Sequence, residues 1–422
     1  VALPVSHPPI TDAGLEIRGR RITAVGAWRS LTRGHRGLQL DLGDTLVLPG
    51  LINAHCHLDY THMAGLFDPP RHFADWIKQI TVTKQIWSDD EFRASWQAGA
   101  DMLLRTGTTT VADIEAVPAL LPEMWGRTPL RVFSFLEMTG IRSRRDPAAI
   151  LKEALAQIRR LPRGRCRAWL SPHAPYSTKP ELMARSAEIS RRRGWVMTTH
   201  VAESASEYEM FARGRGELFQ WLKRNERDMS DCGHGSPVKQ LHRLRALGPH
   251  LLAVHVNYLG RGDAQRLAET GTHVVHCPQS HAYFKHHAFA WRPLDQAGVN
   301  LCLGTDSLAS TRPSRRKPME LSLFAEMNEF AAEHPRVSPP SILRMTTLNA
   351  ARALGCAGQL GELIPGAAAD LIAIPYNGQT RGAASAAVHF EGHVSASLIG
   401  GRWAIRPSES GTFNSHPIGS QS

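Results

Sequence analysis

The chain has 422 residues, 42% hydrophobic and 21% charged, with 35 Gly and 27 Pro, a globular balance that excludes collagen-like, low-complexity and disordered classes. That length holds two or three domains, or one large α/β barrel with a satellite. Its charge is 49 Lys+Arg against 38 Asp+Glu, +11 with His neutral; the excess is Arg in short clusters (Arg144-Arg145, Arg191 to Arg193, Arg315 to Lys317) with no nucleic-acid recognition motif beside them.

Residues 14 to 48 read as short β segments, Gly14 to Gly26 and Leu38 to Leu42, each broken by Gly and without a helical period. From about residue 49 to 355 short apolar strands alternate with longer Arg- and Glu-rich helical stretches, the rhythm of a parallel sheet. The predicted strands are Leu51 to His57, Thr109 to Asp113, Arg131 to Glu137, Cys166 to Ser171, Val196 to His200, Leu251 to His255, His273 to His276 and Asn300 to Asp306. Eight is the number a closed barrel needs. Stretches such as Pro147 to Leu161 and Lys179 to Arg192 space apolar residues by three and four, as outer helices do. β texture returns at Asp370 to Ile374 and Val394 to Ile399, so the two chain ends are expected to pair into one satellite. The expected division is a β-sandwich satellite from residues 1–48 plus 362–405, a (β/α)8 TIM-type barrel over 49–361, and a flexible Ser-, Gly- and Pro-rich tail over 406–422.

Chemistry-bearing residues stand at the ends of these strands. His55 and His57 flank Cys56; strand alternation puts both imidazoles on one face, within reach of one cation. His200 closes another strand with Glu203 three residues on, His255 closes a third and Asp306 a fourth. In an α/β barrel the functional residues gather at the strand C-termini, from several strands, and core packing gives no reason for so many ligand and base types there. Six cysteines, 56, 166, 232, 277, 302 and 356, form neither a CxxC pair nor a disulfide framework, so reduced thiols in a cytoplasmic protein are expected. No apolar run reaches the ~18 residues of a membrane span. The chain also opens without a charged segment followed by an apolar one, which argues against secretion.

The chain resembles the amidohydrolase superfamily, in particular its aminohydrolases with one metal: S-adenosylhomocysteine/methylthioadenosine, aminodeoxyfutalosine and guanine deaminases and triazine chlorohydrolases. The resemblance rests on Leu48-Pro-Gly-Leu-Ile-Asn-Ala-His-Cys-His-Leu-Asp59, Ser171-Pro-His-Ala-Pro-Tyr-Ser177, Thr199-His-Val-Ala-Glu203, His276-Cys-Pro-Gln-Ser280, Leu303-Gly-Thr-Asp-Ser307 and Gly361-Glu-Leu-Ile-Pro-Gly-Ala-Ala-Ala-Asp-Leu371. It implies a barrel with a β-sandwich, His55, His57, His200 and Asp306 as metal ligands, and Glu203 and His255 beside the metal's water. It also implies a substrate hydrogen bond from His173 and a dimer or larger assembly. Imidazole and carboxylate ligands suit Zn²⁺, with Fe²⁺ the alternative. One metal is expected, because the fourth strand, Cys166 to Ser171, lacks the Lys that bridges two metals in other members, and Lys179 lies well beyond it.

The expected reaction is hydrolytic deamination of an amino-substituted N-heterocycle of the purine or purine-nucleoside type, with a metal-activated water as nucleophile and Glu203, His255 and Asp306 as catalytic residues. His173, Trp76, Glu137 and His281 are candidate substrate contacts, Trp76 by stacking on a planar ring; many relatives carry Asn where His281 stands. Trp87 and Trp96 share the insertion after the first strand with Trp76. Relatives acting on adenosine-type nucleosides tend to carry an acid in this insertion to grip the ribose; Trp76 to Gln85 offers bases and amides instead. Arg142, Arg144 and Arg145 after the third strand, with Lys285, His286 and His287 after the seventh, would suit a carboxylate on the substrate's distal part, as in aminodeoxyfutalosine. Dechlorination of a triazine or opening of a cyclic amide is the competing reaction on the same scaffold. The His-x-Glu and Pro-Cys-x-x-Cys signature of zinc base-editing deaminases is missing. A non-catalytic scaffold is disfavoured because the ligand set is complete. The partner expected is thus a small heterocycle, with neither nucleic acid nor membrane.

Overall fold

In the computed structural model, which describes residues 1–34, 37–140, 145–313 and 318–408, the chain opens with an antiparallel hairpin, β1 (Ala13–Arg18) and β2 (Arg21–Ala27), followed by β3 (Thr45–Pro49). Leu38 to Leu42, expected as a strand, forms none: no neighbouring strand pairs with it and Leu38 is 77% exposed. The alternation Leu-Gln-Leu-Asp-Leu is a strand pattern without a partner, and pairing, not propensity, makes a strand.

Eight strands then form one parallel sheet in chain order: β4 (Leu51–Cys56), β5 (Thr108–Glu115), β6 (Arg131–Met138), β7 (Arg167–Pro172), β8 (Met197–Val201), β9 (Leu251–His255), β10 (His273–His276) and β11 (Leu301–Leu303). Each matches a strand read from the sequence, β9 and β10 end to end and the others with ends shifted by at most three residues. β11 is the shortest, because Gly304 and Thr305 leave it and Asp306 turns back with φ 51°. That segment closes the barrel: Thr305 and Asp306 N–H groups donate to the His55 carbonyl at 3.0 and 3.1 Å, and His57 N–H donates to the Asp306 carbonyl at 3.0 Å. A Cβ on Gly304 would stand 2.7 Å from the His55 carbonyl oxygen, so only glycine lets the seam close.

The chain ends in β12 (Leu371–Pro375), β13 (Ala396–Ile399) and β14 (Arg402–Ile405), which join β3 in an antiparallel sheet ordered β14-β13-β12-β3. Alternation sorts its side chains. Leu46, Leu48, Ile372 and Ile374 pack in the core shared with the barrel helices, while Val47, Leu371, Ala373, Ala396 and Leu398 pack with Ile22 of the hairpin. Two buried faces explain why Leu46-Val-Leu and Leu371-Ile-Ala-Ile read as continuous apolar runs. The guanidinium of Arg131, at the start of β6, meets both carboxylate oxygens of Asp370 at 2.5 and 3.0 Å, joining barrel to satellite. Residues 406–408 carry no regular structure, and the rest of the expected tail lies outside the described residues. All six cysteines are buried free thiols, and no described helix is long and apolar enough to cross a membrane.

Candidate active site

β4, β8, β9 and the turn after β11 bring His55, His57, His200, His255 and Asp306 together at the strand C-termini, all at least nine-tenths buried. His57 Nε2 lies 3.4 Å from His200 Nε2, and Asp306 Oδ1 lies 3.6 Å from His55 Nε2 and 3.7 Å from His57 Nε2. Ligands about 2.1 Å from one ion at tetrahedral angles stand roughly 3.4 Å apart. Donor atoms of His55, His57 and His200, and again those of His55, His255 and Asp306, fall within 4.8 Å of one another. Neither ring nitrogen of His55 has a hydrogen-bond partner, nor has His255 Nε2, which is costly for buried polar atoms and is relieved by a cation. His200 Nδ1 donates to the His173 carbonyl at 2.9 Å, so the Nε2 lone pair is turned to its neighbours.

The protonation states agree. Burial, with the neighbouring imidazoles, holds His57 and His255 down to about 3 and His200 well below the ordinary histidine value. Burial alone would raise Asp306, but the imidazoles of His55, His255 and His57 facing it outweigh burial and hold its carboxyl well below the ordinary carboxylate value. Neutral imidazoles and an ionised carboxylate are the forms that bind a divalent metal, and the residues fit one.

Glu203 follows His200 across a turn in which Ala202 has φ 51°; His255 and Val256 have φ 74° and 50°. Non-glycine residues in this region are uncommon and cluster at functional sites. Glu203 Oε1 lies 3.6 Å from His255 Nε2, and burial, then the charges of Asp306 and Glu207, raises its carboxyl well above the ordinary value.

A cavity of about 540 Å³ opens onto this group, in the range of drug-sized ligands. His57, His200, Glu203 and Asp306 line it together with His173, Glu137 and Trp76. Trp76 belongs to the helix Phe73–Ile86, which covers the cavity; its Nε1 donates to the Ala309 carbonyl at 3.3 Å and its ring meets Phe284 edge-on at 5.1 Å. Trp96 instead donates to Asp113 Oδ2 at 2.9 Å in a buried layer, and Trp87 packs on Phe92. His173 Nδ1 pairs with Ser177 Oγ at 2.5 Å, leaving Nε2 3.8 Å from Glu137 Oε1.

His281 differs from the expectation. It does not line the cavity: its ring is drawn aside by Asn257 Oδ1 at 3.0 Å from Nδ1 and the His287 carbonyl at 2.7 Å from Nε2. His276 is stacked on Phe289 at 3.7 Å, a packing position. Of the basic loops, Arg142 and Arg144 lie outside the described residues, Arg145 is ion-paired with Glu153, and Lys285, His286 and His287 do not line the cavity. Among the described residues the cavity's Lys and Arg cations are Lys78 and Lys84.

Sequence reading singled out neither Lys84 nor Tyr60. Lys84 Nζ donates to Tyr60 OH at 2.7 Å and to Glu137 Oε2 at 2.9 Å. Burial opposes the Glu137 charge, but Lys84, His173 and His57 outweigh it and hold that carboxyl down to about 2. The signal for Tyr60 was its position three residues past His57, one turn on; Lys84 carries no such mark. Behind β4, Asp113 accepts from Leu58 N–H at 3.1 Å and Glu115 from Val117 N–H at 2.6 Å, with both oxygens of Asp59 unpartnered nearby.

Comparison with known proteins agrees with this architecture. The chain is 32% identical over 379 residues to the 5-methylthioadenosine/S-adenosylhomocysteine deaminase of Syntrophobacter fumaroxidans, covering 84% of this chain and 78% of that protein. Helicobacter pylori aminofutalosine deaminase in complex with methylthio-coformycin superimposes with a TM-score of 0.81 at 21% identity, over 94% of this chain and 96% of that one. An atrazine chlorohydrolase mutant from Arthrobacter aurescens, complexed with zinc and atraton, superimposes with a TM-score of 0.78 at 19% identity, over 95% and 93%. The sequence matches the amidohydrolase family over residues 46–403, and the chain belongs to that family of metal-dependent hydrolases acting on C–N bonds.

Proposed function

We propose that this chain deaminates an amino-substituted N-heterocycle of the purine-nucleoside type, with His55, His57, His200 and Asp306 holding one divalent metal. Carrying this reading is the convergence of those four side chains with Glu203 and His255, of which His57, His200, Glu203 and Asp306 line the cavity. Three imidazoles and one carboxylate suit Zn²⁺ better than a harder ion, with Fe²⁺ as the alternative. When bound, such a metal acts as a Lewis acid and lowers the pKa of a coordinated water toward ~7.

The rest is the work of this chain's own residues. Glu203, whose carboxyl burial raises well above the ordinary value so that it holds its proton more tightly, hands that proton to the ring nitrogen beside the amino-bearing carbon as water adds there. Asp306 Oδ1, 3.6 Å from His55 Nε2, and His255 Nε2, 3.6 Å from Glu203 Oε1, would orient the attacking water and take up its proton. Returned to the exocyclic nitrogen, that proton lets the C–N bond break and ammonia leave, while the remaining hydroxyl proton of the adduct passes to the Glu203 carboxylate, so the ring gains a carbonyl oxygen, keeps a hydrogen on the ring nitrogen and leaves Glu203 protonated as it began. His173 Nε2 and Glu137 Oε1, 3.8 Å apart at the cavity wall, hold the substrate, and Trp76 supplies an apolar surface.

Ammonia release by the metal-loaded protein on aminopurines, adenosine derivatives and aminopyrimidines, with chloride release from a chlorotriazine measured in parallel, is the deciding experiment. Ammonia from an adenosine derivative is expected; chloride without ammonia would replace deamination by the dechlorinating reaction. Glu203→Gln is expected to keep the metal and lose roughly 10²- to 10⁴-fold in turnover, whereas loss of metal would make Glu203 a ligand.

A further inference from the structure

Glu203 is held at both of its backbone polar groups by buried side chains that never reach the cavity. Its N–H donates to Glu207 Oε2 at 2.8 Å, one turn along the helix Ala205–Arg213. Its carbonyl accepts from Asn257 Nδ2 at 2.9 Å. That bond fixes which end of the Asn257 amide is which, so Oδ1 faces His281 Nδ1 at 3.0 Å, one of two acceptors against which this ring is held. The opposite ring nitrogen of His281 is anchored to the His287 carbonyl at 2.7 Å. Glu207, Asn257 and His281 are all buried, and none lines the cavity.

These bonds cross between two kinked strand ends. One kink is Ala202 after β8, the other His255 and Val256 after β9, each a non-glycine residue at positive φ. Such backbone persists only where its surroundings over-determine it. Val256 N–H donates to the Val201 carbonyl at 3.0 Å, and the next residue, Asn257, makes the second tie across the same gap. Slackening the ties would let the two turns relax separately, and with them the 3.6 Å approach of Glu203 Oε1 to His255 Nε2.

We propose that Asn257 and His281, with Glu207, are positioning residues that lock the turn carrying Glu203 and thereby set its carboxyl against His255. The proposal rests on Glu203 being the acid-base group of the reaction described above. It gives His281 a role in catalysis without contact with substrate.

The test compares Asn257→Ala, Asn257→Asp, His281→Ala and His281→Gln in the wild-type and Glu203→Gln backgrounds of the metal-loaded protein. In the wild-type background Asn257→Ala and His281→Ala are expected to lower kcat by roughly 10- to 100-fold, the range for residues that orient functional groups, with KM and metal content unchanged. Asn257→Asp, which cannot donate to the Glu203 carbonyl, follows Asn257→Ala, and His281→Gln, which keeps an N–H donor, recovers part of the loss. In the Glu203→Gln background the same changes are expected to leave kcat as it is. Equal losses in both backgrounds, or folded variants with wild-type kcat, overturn the proposal. A readout independent of turnover is amide hydrogen exchange over residues 200–208: faster exchange in Asn257→Ala and His281→Ala supports the lock, and unchanged protection overturns it. If the wild-type protein releases no ammonia from any substrate, the deamination reading falls, while the exchange measurement still decides whether Asn257 and His281 hold the turn.

Discussion

The satellite sheet and the mouth of the barrel are both built from strands, yet they treat polar groups and backbone in opposite ways. In the satellite, alternation along β3 and β12 sends every second side chain to one of two apolar layers, and the charged contact with the barrel, Arg131 with Asp370, is bidentate and paired. At the mouth, the ends of β4 and β9 carry imidazoles with unpartnered nitrogens, His55 and His255, beside a raised carboxyl at Glu203 and left-handed residues at 202, 255, 256 and 306. The first region is arranged for stability and the second departs from what stability favours. A folded chain keeps such a departure where binding or reaction uses it. Variants in the two regions are therefore expected to separate activity from stability.

The largest effect is expected at the mouth. His200→Ala removes one of the imidazoles within 4.8 Å of its neighbours and is expected to abolish tight metal binding. Turnover then falls by more than the roughly 10- to 100-fold typical of residues that only support a ligand. Metal content by elemental analysis and ammonia release by coupled assay check both, and thermal unfolding of the metal-free proteins is expected to differ little. A variant that keeps its metal would remove His200 from the ligand set.

In the satellite the pattern is reversed. Ile372 is fully buried on the face of β12 turned to the barrel, and Ile372→Ala is expected to cost about 2 to 5 kcal/mol, the range for truncating a buried aliphatic side chain. Denaturant unfolding measures the loss, while kcat at a temperature where the variant is folded is expected to equal that of the wild type. A fall in kcat would mean that the satellite shapes the mouth.

How far each region was legible in the sequence follows from the same contrast. Strands buried on both faces announce themselves as apolar runs, so all eight barrel strands and β12 could be read directly. His55 and His57 were legible because strand alternation is a local rule. Leu38 to Leu42 misled because an alternating pattern says nothing about whether a neighbour exists. His281 misled because its position in the chain, just past β10, does not tell which way its ring turns; Asn257, 24 residues earlier, decides that. Lys84 was invisible for a related reason. On a helix with two lysines nothing local separates Lys78, paired with Asp75 at the surface, from Lys84, paired with Glu137 in the cavity.

Gly304 stands at the seam that closes the barrel, against His55, one of the proposed metal ligands. Gly304→Ala puts a methyl group 2.7 Å from the His55 carbonyl oxygen and 2.9 Å from its Cβ, both parts of a buried strand with little room to give. A cost of about 1 to 3 kcal/mol is expected from overpacking, together with weaker metal binding, because His55 moves with its backbone. Loss of stability and of metal affinity in one variant is the mixed signature of the seam. Lost stability at unchanged affinity would place the strain on the β11 side alone.

The smallest effect concerns protons stored behind the mouth. Burial and the charge of Asp113 raise the Glu115 carboxyl from 4.5 to about 8. The folded chain therefore keeps a proton there that the unfolded chain releases above about pH 4.5. Its stabilising contribution is complete below that pH and is lost as pH rises toward 8. His57 and His255, held down to about 3, act in the opposite sense, but only below the ordinary histidine value of 6.5. Above pH 6.5 the carboxyls dominate, with Glu207 and Glu326, also near 8, adding to the same slope. Stability is thus expected to fall between pH 6.5 and 8, and Glu115→Gln, which keeps the shape without a titrating proton, is expected to flatten that fall by up to about 1.4 kcal/mol per pH unit. Denaturant midpoints at several pH values in this window measure the slope in both proteins. Equal slopes would show that Glu115 is already ionised in the folded chain, its charge neutralised by a partner other than a proton.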